Sequence, residues 1–274
     1  MAKSMRVGDD YPLATGAAGA SRLALLDTVY GPPAWRIMED IGIPGGARVA
    51  DIGCGTGNTA RWFARAIGPT GEVSAVDVSA EQIAVAESLV RSEGLANVKF
   101  IEASAYDTGL ARNAFDVVHC RFLLCHLQRP IDAIREMAAL AMPGGLVTCF
   151  DIDVTGLTSF PSTGCYGLMR DLLMALGRHR GVDYQTGLKL PRLMLECGLD
   201  APQFAIVHPA YLRGEEKRVW EYTFFEGRSY MLEHGITDEA QLDELALELA
   251  AVAADESIVV AQGRMPVCWA RKRG

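Results

Sequence analysis

The sequence lacks features that would point to several kinds of partner. It contains no run of about 18 uncharged apolar residues, the length that a helix needs to cross a bilayer. Near its start, Asp9 and Asp10 stand where a targeting segment would carry basic residues before an apolar stretch. Lys and Arg number 26 against 34 Asp and Glu, and no concentrated basic surface for phosphates is evident. We therefore predict no membrane and no nucleic-acid partner.

The cysteines argue against two further classes of protein. Their number, seven, is odd, and none forms a Cys-x-x-Cys pair, which disfavours a zinc site or a disulfide framework. Several lie in apolar runs, which predicts reduced, buried thiols. Half of the residues are hydrophobic and there is no low-complexity tract, so the chain can bury a large core. We expect a folded, soluble, cytoplasmic protein.

Between residues 47 and 153, short apolar runs alternate with segments of helical spacing. This alternation is typical of a parallel sheet covered by helices on both faces. The predicted strands are Arg48–Ile52, Glu72–Val76, Val98–Glu102, Phe115–Cys120 and Leu146–Ile152, and the predicted helices are Asn58–Ile67, Ser79–Glu93 and Pro130–Ala141.

Outside this region the pattern is different. A helix is predicted over residues 20–30, broken by Gly31-Pro32-Pro33. Further helices are predicted over 164–180, 191–197, 215–233 and 237–255, and strands over 203–212 and 266–270. We divide the chain into an N-terminal helical extension (1–46), a core (47–153), an inserted helical lid (154–198) and a C-terminal part (199–274). The C-terminal strands would complete the core, and the helices inserted between them would cover the substrate site.

Three glycines, at positions 53, 55 and 57, join the first predicted strand to the next helix. In a parallel sheet, glycines at this place let the backbone approach a ligand closely. A dinucleotide site would show Gly-x-Gly-x-x-Gly, whereas position 58 is Asn and the spacing here is Gly-x-Gly-x-Gly. The spacing disfavours a nicotinamide-dependent oxidoreductase, and a turn without a ligand stays open.

The run Val49–Gly57 resembles the first motif of class I S-adenosylmethionine-dependent methyltransferases. At the family's spacing follow Asp77 at the second strand's end, the segment 103–106, the strand 115–120 and the turn Pro143-Gly144-Gly145. The resemblance implies a Rossmann-like methyltransferase fold: α/β, with a doubly wound, seven-stranded, mostly parallel sheet. It also implies S-adenosyl-L-methionine as methyl donor.

The resemblance assigns cofactor contacts residue by residue. Asp77 matches the acid that holds both ribose hydroxyls, for which a carboxylate is a suitable acceptor. Asp51 would lie under the glycine turn near the cofactor's amino group, or accept hydrogen bonds from loop amides. Arg121 would line the methionine end, or form a structural ion pair. The predicted cofactor-binding residues are Tyr11, Arg22, Asp51, Gly53, Gly55, Gly57, Asp77, Val78, Ala105, Tyr106 and Arg121.

Tyr11 and Arg22 belong to a stretch that resembles the N-terminal segment folding over the cofactor in small-molecule methyltransferases. An arginine fork suits the methionine carboxylate. The alternative is an ordinary packed surface helix. A helix of this sort could also exchange between subunits and make the protein a homo-oligomer.

His126 resembles a histidine found after strand four in the quinone-biosynthesis-like branch of the family. A base at this place would help to remove a proton from the acceptor or to position it, and a structural role is the alternative. The predicted substrate-binding residues are Asp151, Tyr166, Phe225 and Glu226. Core packing is the alternative for the aromatic residues, and a solvated helix face is the alternative for Glu226.

No metal is predicted, because Cys120-Arg121 stands where similar magnesium-dependent catechol methyltransferases place an acid. The residues at 121–124, Arg-Phe-Leu-Leu, also differ from the Pro-Pro-aromatic motif of nucleic-acid amino-methyltransferases. We therefore expect methyl transfer by in-line displacement to a small-molecule acceptor of secondary metabolism. The alternative of a different class is a module that binds S-adenosylmethionine without catalysis. The sequence leaves C-, N- and O-methylation open.

Overall fold

The computed structural model describes residues 16–274 of the chain. Its strands are β1 Arg48–Ile52, β2 Glu72–Asp77, β3 Val98–Glu102, β4 Phe115–Arg121, β5 Ala141–Phe150, β6 Thr158–Phe160, β7 Leu199–Val207, β8 Ala210–Tyr211, β9 Val259–Ala261 and β10 Met265–Lys272. Its α-helices are α1 Gly16–Ile41, α2 Asn58–Ile67, α3 Ala80–Ser92, α4 Pro130–Leu140, α5 Gly164–Arg180, α6 Thr186–Glu196, α7 Val219–Glu226, α8 Arg228–Glu233 and α9 Glu239–Ala254.

The central sheet has seven strands in the order β3-β2-β1-β4-β5-β10-β7. The strands from β3 to β5 pair in parallel, and β10 runs antiparallel to both β5 and β7. The chain builds outward from β1 to β3 and then crosses back to β4 on the other side of β1. Ligands of open parallel sheets bind at such a crossover, outside the carboxyl ends of the strands. The predicted α/β fold with a seven-stranded, mostly parallel sheet is confirmed.

Successive residues of β1 contribute to separate cores on the two faces of the sheet, as the pleat of a strand requires. Val49 packs on one face with Phe63, whereas Ala50 and Ile52 pack on the other with Ile134. All seven cysteines are free, and all except Cys197 are buried. Burial on both faces explains why the core strands are almost wholly apolar.

The predicted break in the first helix is wrong, because α1 continues through Pro32 and Pro33. A proline inside a helix costs about 3 kcal/mol, since it removes a hydrogen bond and crowds the preceding turn. Tyr30, Ala34 and Met38 lie four residues apart and are fully buried on one side of α1. Their burial against the rest of the protein offsets the cost of the prolines.

Other predicted elements also differ from the structure in their bounds. Helix α6 starts at Thr186 rather than at residue 191. Its second residue is Gly187, where an added Cβ would be 2.8 Å from the carbonyl oxygen of Asp151. Glycine thus allows the start of α6 to press against the backbone that follows β5. The strand predicted over 203–212 is interrupted after Val207, and Pro209, which has no N–H, stands between β7 and β8.

A small antiparallel sheet of order β6-β9-β8 lies outside the central sheet. Helices α5 and α9 pack on each other, and α1 packs on α7. Helix α6, which falls within the segment predicted as a lid, packs on β7, β10 and α4. The domain boundaries remain predictions. Within residues 16–274, no helix combines the length and the apolar character that crossing a bilayer would require.

Candidate functional site

A cavity of about 660 Å³ opens beside the carboxyl ends of β1, β2 and β4. Its walls also include residues of α1, α5 and α7. The volume falls in the range of small-molecule sites, about 300–1,000 Å³. Of the predicted site residues, those that line the cavity are Arg22, Gly53, Gly55, Asp77, Val78, Tyr106, Arg121 and His126.

The glycine turn that follows β1 needs its glycines for two different reasons. Gly53, Gly55 and Gly57 all have positive φ angles, of 71°, 52° and 77°, a region that favours glycine. An added Cβ at Gly53 would lie 2.8 Å from Leu123, and one at Gly57 would lie 3.0 Å from Ala86. At Gly55 it would meet no atom of residues 16–274 within 4 Å. Gly53 and Gly57 thus allow neighbouring side chains to pack closely against the turn. Gly55 leaves its backbone open to the cavity.

Asp77 fastens the glycine turn to the end of β2. Its Oδ2 accepts a hydrogen bond from the amide of Gly55 at 2.8 Å, and its Oδ1 accepts one from Ser79 at 2.9 Å. Burial raises the pKa of Asp77, and these backbone hydrogen bonds oppose the rise. An ionised carboxylate can accept about four hydrogen bonds. Asp77 therefore retains acceptor capacity toward hydroxyl groups in the cavity.

Asp51 lies in β1 beneath the turn and does not line the cavity. Its pKa is raised to about 7, chiefly by burial; the positive charge of Arg121 opposes this rise and the negative charge of Asp77 adds to it. Within the described residues, Asp51 Oδ2 has no hydrogen-bond partner. The carboxyl group therefore changes its charge near neutral pH, an unusual property for an aspartate.

The two arginines predicted at the methionine end each form an ion pair. Arg121 Nη2 donates to Asp27 Oδ1 at 2.6 Å, and its guanidinium carbon lies 4.7 Å from the Trp35 ring centroid. Arg22 Nε donates to Glu226 Oε2 at 2.7 Å. Both arginines face the cavity while they are fixed by these partners. Ion pairing and cavity lining, which the sequence left as alternatives for Arg121, are both present.

His126 ends a 3₁₀ turn, Leu124–His126, that follows β4. Asp151 is fully buried beneath this turn, and its Oδ2 accepts hydrogen bonds from the amides of Leu124 at 2.7 Å and Cys125 at 3.3 Å. Its Oδ1 accepts from Ile152 at 2.7 Å. Asp151 does not line the cavity, in contrast to its prediction as a substrate-binding residue. Through these hydrogen bonds, Asp151 stabilises the turn that carries His126.

The imidazole of His126 is neutral at physiological pH. Burial and the positive charges of Arg180 and Arg22 lower its pKa from the usual value to about 3. A general base is most effective when its pKa lies near the working pH. His126 therefore lines the cavity as a neutral hydrogen-bonding group and is a weak proton acceptor.

The other predicted residues lie outside the cavity wall. Gly57 and Ala105 stand behind it, and Tyr166 is buried in the core. In α7, Phe224 lines the cavity and Phe225 does not, because successive helical residues point about 100° apart. Glu226 is one residue further on, does not line the cavity and accepts a hydrogen bond from Arg22, which does. Tyr11 lies outside the described residues.

The polar residues on the α5 side of the cavity were not predicted from the sequence. Arg180 Nη1 donates to the hydroxyl of Tyr184 at 2.9 Å, and both side chains line the cavity. Trp220 also lines it, and its Nε1 donates to the hydroxyl of Tyr30 at 2.8 Å. The spacing of Leu173, Leu176 and Arg180 along one face of α5 is the sequence signal that would have pointed to Arg180.

Comparisons with known proteins agree with this geometry. Residues 49–145 match a protein family described as methyltransferase domain. A demethylmenaquinone methyltransferase of Staphylococcus aureus strain JH9 is 32% identical over 125 residues, which are 46% of this chain and 51% of that protein. The chain thus spans about half the length of the curated relatives it matches. The resemblance stated from the sequence is confirmed for this part of the chain.

Solved structures share the fold at low sequence identity. A protein of Bacillus halodurans C-125, provisionally named a methyltransferase, superposes with a TM-score of 0.60 at 16% identity, over 87% of this chain and 98% of that one. The cyclase SpnF gives a TM-score of 0.54 at 21% identity, over 96% of this chain and 98% of its own. At these identities the similarity establishes the fold alone.

Proposed function

Since residues 49–145 of this chain carry a methyltransferase domain, we propose that the protein binds S-adenosyl-L-methionine and transfers its methyl group to a small-molecule acceptor. The observation that carries the proposal is the open backbone at Gly55, which Asp77 fixes beside the cavity. A close backbone approach together with a carboxylate suits a ligand with a vicinal diol.

The residues present fit this cofactor. Asp77 would accept hydrogen bonds from the ribose hydroxyls, and Tyr106 and Val78 stand beside it in the same wall. Arg22 and Arg121 would face the methionine carboxylate, although each also holds an acidic partner. When bound, the cofactor supplies a methyl group that its sulfonium centre has already activated for displacement.

The protein's own contribution is to exclude water and orient the acceptor. Apolar side chains of α5 and α7, among them Leu173, Leu176 and Phe224, line the cavity and exclude water from it. His126 enters this wall as a neutral imidazole. We assign it the role of positioning the acceptor through a hydrogen bond, with proton removal as a secondary role because its basicity is low.

Calorimetric titration with S-adenosylhomocysteine tests cofactor binding. We expect micromolar affinity for the wild type, about 100-fold weaker binding for Asp77→Ala because two hydrogen bonds to a charged group are lost, and no effect of Asp171→Ala, an exposed acid on α5. NAD⁺ serves as the control ligand and should not bind. Binding of NAD⁺ alone, or equal affinity of the Asp77 variant, would contradict the proposal.

Catalysis needs a separate measurement, because one neighbour of the same fold, SpnF, is named as a cyclase. The alternative function is binding of S-adenosylmethionine without methyl transfer. Incubation with cofactor carrying a labelled methyl group and a panel of small aromatic and isoprenoid acceptors distinguishes the two. Label in an acceptor supports transfer, whereas tight binding with no labelled product from any acceptor supports the alternative.

A further inference from the structure

We propose that the hydroxyl group of Tyr184 donates a hydrogen bond to the methyl acceptor, and that the acceptor is an apolar molecule that presents a neutral oxygen, such as a carbonyl oxygen, to this group. This inference rests on the proposed function and specifies how the same cavity recognises its substrate. Tyr184 is not among the residues assigned above to the cofactor.

The hydrogen bond between Arg180 and Tyr184 has only one possible direction. A guanidinium group carries N–H donors and no acceptor. The hydroxyl oxygen of Tyr184 therefore accepts from Arg180 Nη1, at 2.9 Å, and its own proton points elsewhere. This conclusion holds whatever other groups Arg180 contacts, because none of them changes the direction of this hydrogen bond.

The proton of the Tyr184 hydroxyl is available to a ligand. Tyr184 is only 8% exposed and lines the cavity, and within residues 16–274 its hydroxyl donates to no acceptor. Burial raises the pKa of Tyr184, and the positive charge of Arg180 opposes this rise. The hydroxyl is therefore protonated at neutral pH. A buried donor without an acceptor is costly, and a ligand oxygen would remove that cost.

The fold fixes the Tyr184 side chain and its backbone in one position. The ring packs on Gly177 of α5, where an added Cβ would lie 3.2 Å from Tyr184 Cδ2. The backbone carbonyl of Tyr184 accepts a hydrogen bond from the amide of Val154 at 3.0 Å. Arg180 holds the hydroxyl oxygen. A donor held at three points loses little conformational entropy when a ligand binds.

The surroundings of this donor select the class of ligand. Apolar side chains border the same cavity, among them Ile152, Val154, Leu173, Leu176 and Val182. Such a wall suits an apolar ring or chain, and a single hydroxyl donor suits one neutral oxygen on it. The hydrogen bond from Arg180 polarises the O–H group of Tyr184 and strengthens it as a donor. An oxygen that accepts this hydrogen bond becomes less nucleophilic, so it orients the acceptor while another atom receives the methyl group.

The test compares 2-acetylnaphthalene with 2-isopropenylnaphthalene, which has nearly the same shape and carries a methylene group in place of the carbonyl oxygen. Equilibrium dialysis against the full-length protein, with and without saturating S-adenosylhomocysteine, gives both affinities. We expect Tyr184→Phe to weaken binding of the ketone about fivefold or more and to leave binding of the alkene within about twofold. Tyr222→Phe, which removes a surface hydroxyl bonded to Glu215, should change neither affinity.

Infrared spectroscopy of the bound ketone distinguishes a hydrogen bond from a change in cavity shape. With an isotope label at the carbonyl carbon, the C=O stretch of 2-acetylnaphthalene should lie at lower frequency in the wild type than in cyclohexane, because a hydrogen bond weakens the C=O bond. Tyr184→Phe should return it towards the cyclohexane value.

Three outcomes overturn the proposal. They are equal effects of Tyr184→Phe on the two probes, a carbonyl frequency that is the same in wild type and variant, and no binding of the ketone to wild-type protein that binds S-adenosylhomocysteine. Failure of S-adenosylhomocysteine to bind the wild type overturns the proposed function instead.

Discussion

Three aspartates near the carboxyl ends of β1, β2 and β5 have different tasks, and their contacts distinguish them. Asp77 accepts two backbone hydrogen bonds and borders the cavity. Asp151 accepts three and supports the turn of His126. Asp51 is buried with one oxygen unpartnered among residues 16–274. One residue type thus serves as an acceptor at the cavity wall, a structural acceptor and a titrating group.

Asp51 makes a testable contribution to the pH dependence of stability. Its pKa is about 7 in the folded protein, above the value near 4 of an unfolded chain. The folded state therefore binds more protons between these values, and its stability falls as the pH rises through this range. Relative to the wild type, Asp51→Asn should gain about 2–3 kcal/mol in free energy of unfolding between pH 5 and pH 8.

Urea denaturation of both proteins at several pH values measures this difference. Asp171→Asn, on the exposed side of α5, is the control and should follow the wild type at every pH. A difference between Asp51→Asn and the wild type that stays constant from pH 5 to pH 8 would show that Asp51 does not titrate in this range.

Gly55 and Gly94 offer a matched pair of substitutions. Both have positive φ, 52° and 68°, and an added Cβ at either would meet no atom of the described residues within 4 Å. Substitution by alanine at either position should therefore lower the free energy of unfolding by about 1 kcal/mol, because of backbone strain. Of these two glycines, Gly55 borders the cavity and Gly94 does not. Gly55→Ala should therefore weaken the binding of S-adenosylhomocysteine by about tenfold or more, and Gly94→Ala should leave it unchanged. Calorimetry and urea denaturation measure the two effects, and equal ligand affinities in both variants would refute this assignment.

At the scale of elements, helix α1 forms part of the cavity wall and packs against α7. Its residue Tyr30 is fully buried, donates to the carbonyl oxygen of Gly263 at 2.6 Å and accepts from Trp220 Nε1 at 2.8 Å. Trp220 is part of the cavity wall. A single hydroxyl therefore joins α1, α7 and the loop before β10, and it fixes the position of an aromatic wall residue.

Removing this hydroxyl should weaken the junction of α1 and α7. Tyr30→Phe leaves the indole N–H and a carbonyl group without partners and should lower the free energy of unfolding by about 2–3 kcal/mol. Tyr222→Phe, whose hydroxyl reaches Glu215 at the surface, should lower it by less than about 1 kcal/mol. Urea denaturation gives both values. Equal losses would mean that the buried hydroxyl has no special role.

The elements predicted best from the sequence are those with local signals at both ends. Helix α2 and strand β3 have the predicted bounds, and the start of α3 is marked by Ser79, which accepts from the amide of Gln82. The error in α1 has a different origin. Local proline signals indicate a break, whereas burial of Tyr30 and its neighbours, which depends on tertiary contacts, keeps the helix continuous.

At the scale of the whole molecule, the cavity residues also fall into two groups. Some belong to a local sequence motif, and others come from distant segments that tertiary contacts bring together. The glycine turn and Asp77 lie within one contiguous stretch, so a motif in the sequence revealed them. Arg180 and Trp220 come from segments that only the fold brings together, and the hydrogen bond that fixes Trp220 links it to Tyr30, which is 190 positions earlier in the sequence. No local pattern in the sequence reports such a contact, and only the fold shows it.

The central sheet also depends on the C-terminal part of the chain. Strand β10 lies between β5 and β7, and residues 267–271 pair with residues 146–150 of β5. A fragment of residues 1–153 would expose β5 as an edge strand, with Val147 and Cys149 losing their cover. We expect this fragment to lack a cooperative thermal transition and near-ultraviolet circular dichroism, whereas the full chain should unfold in one step. A fragment that folds cooperatively and binds S-adenosylhomocysteine would show that residues 1–153 form an independently folding unit.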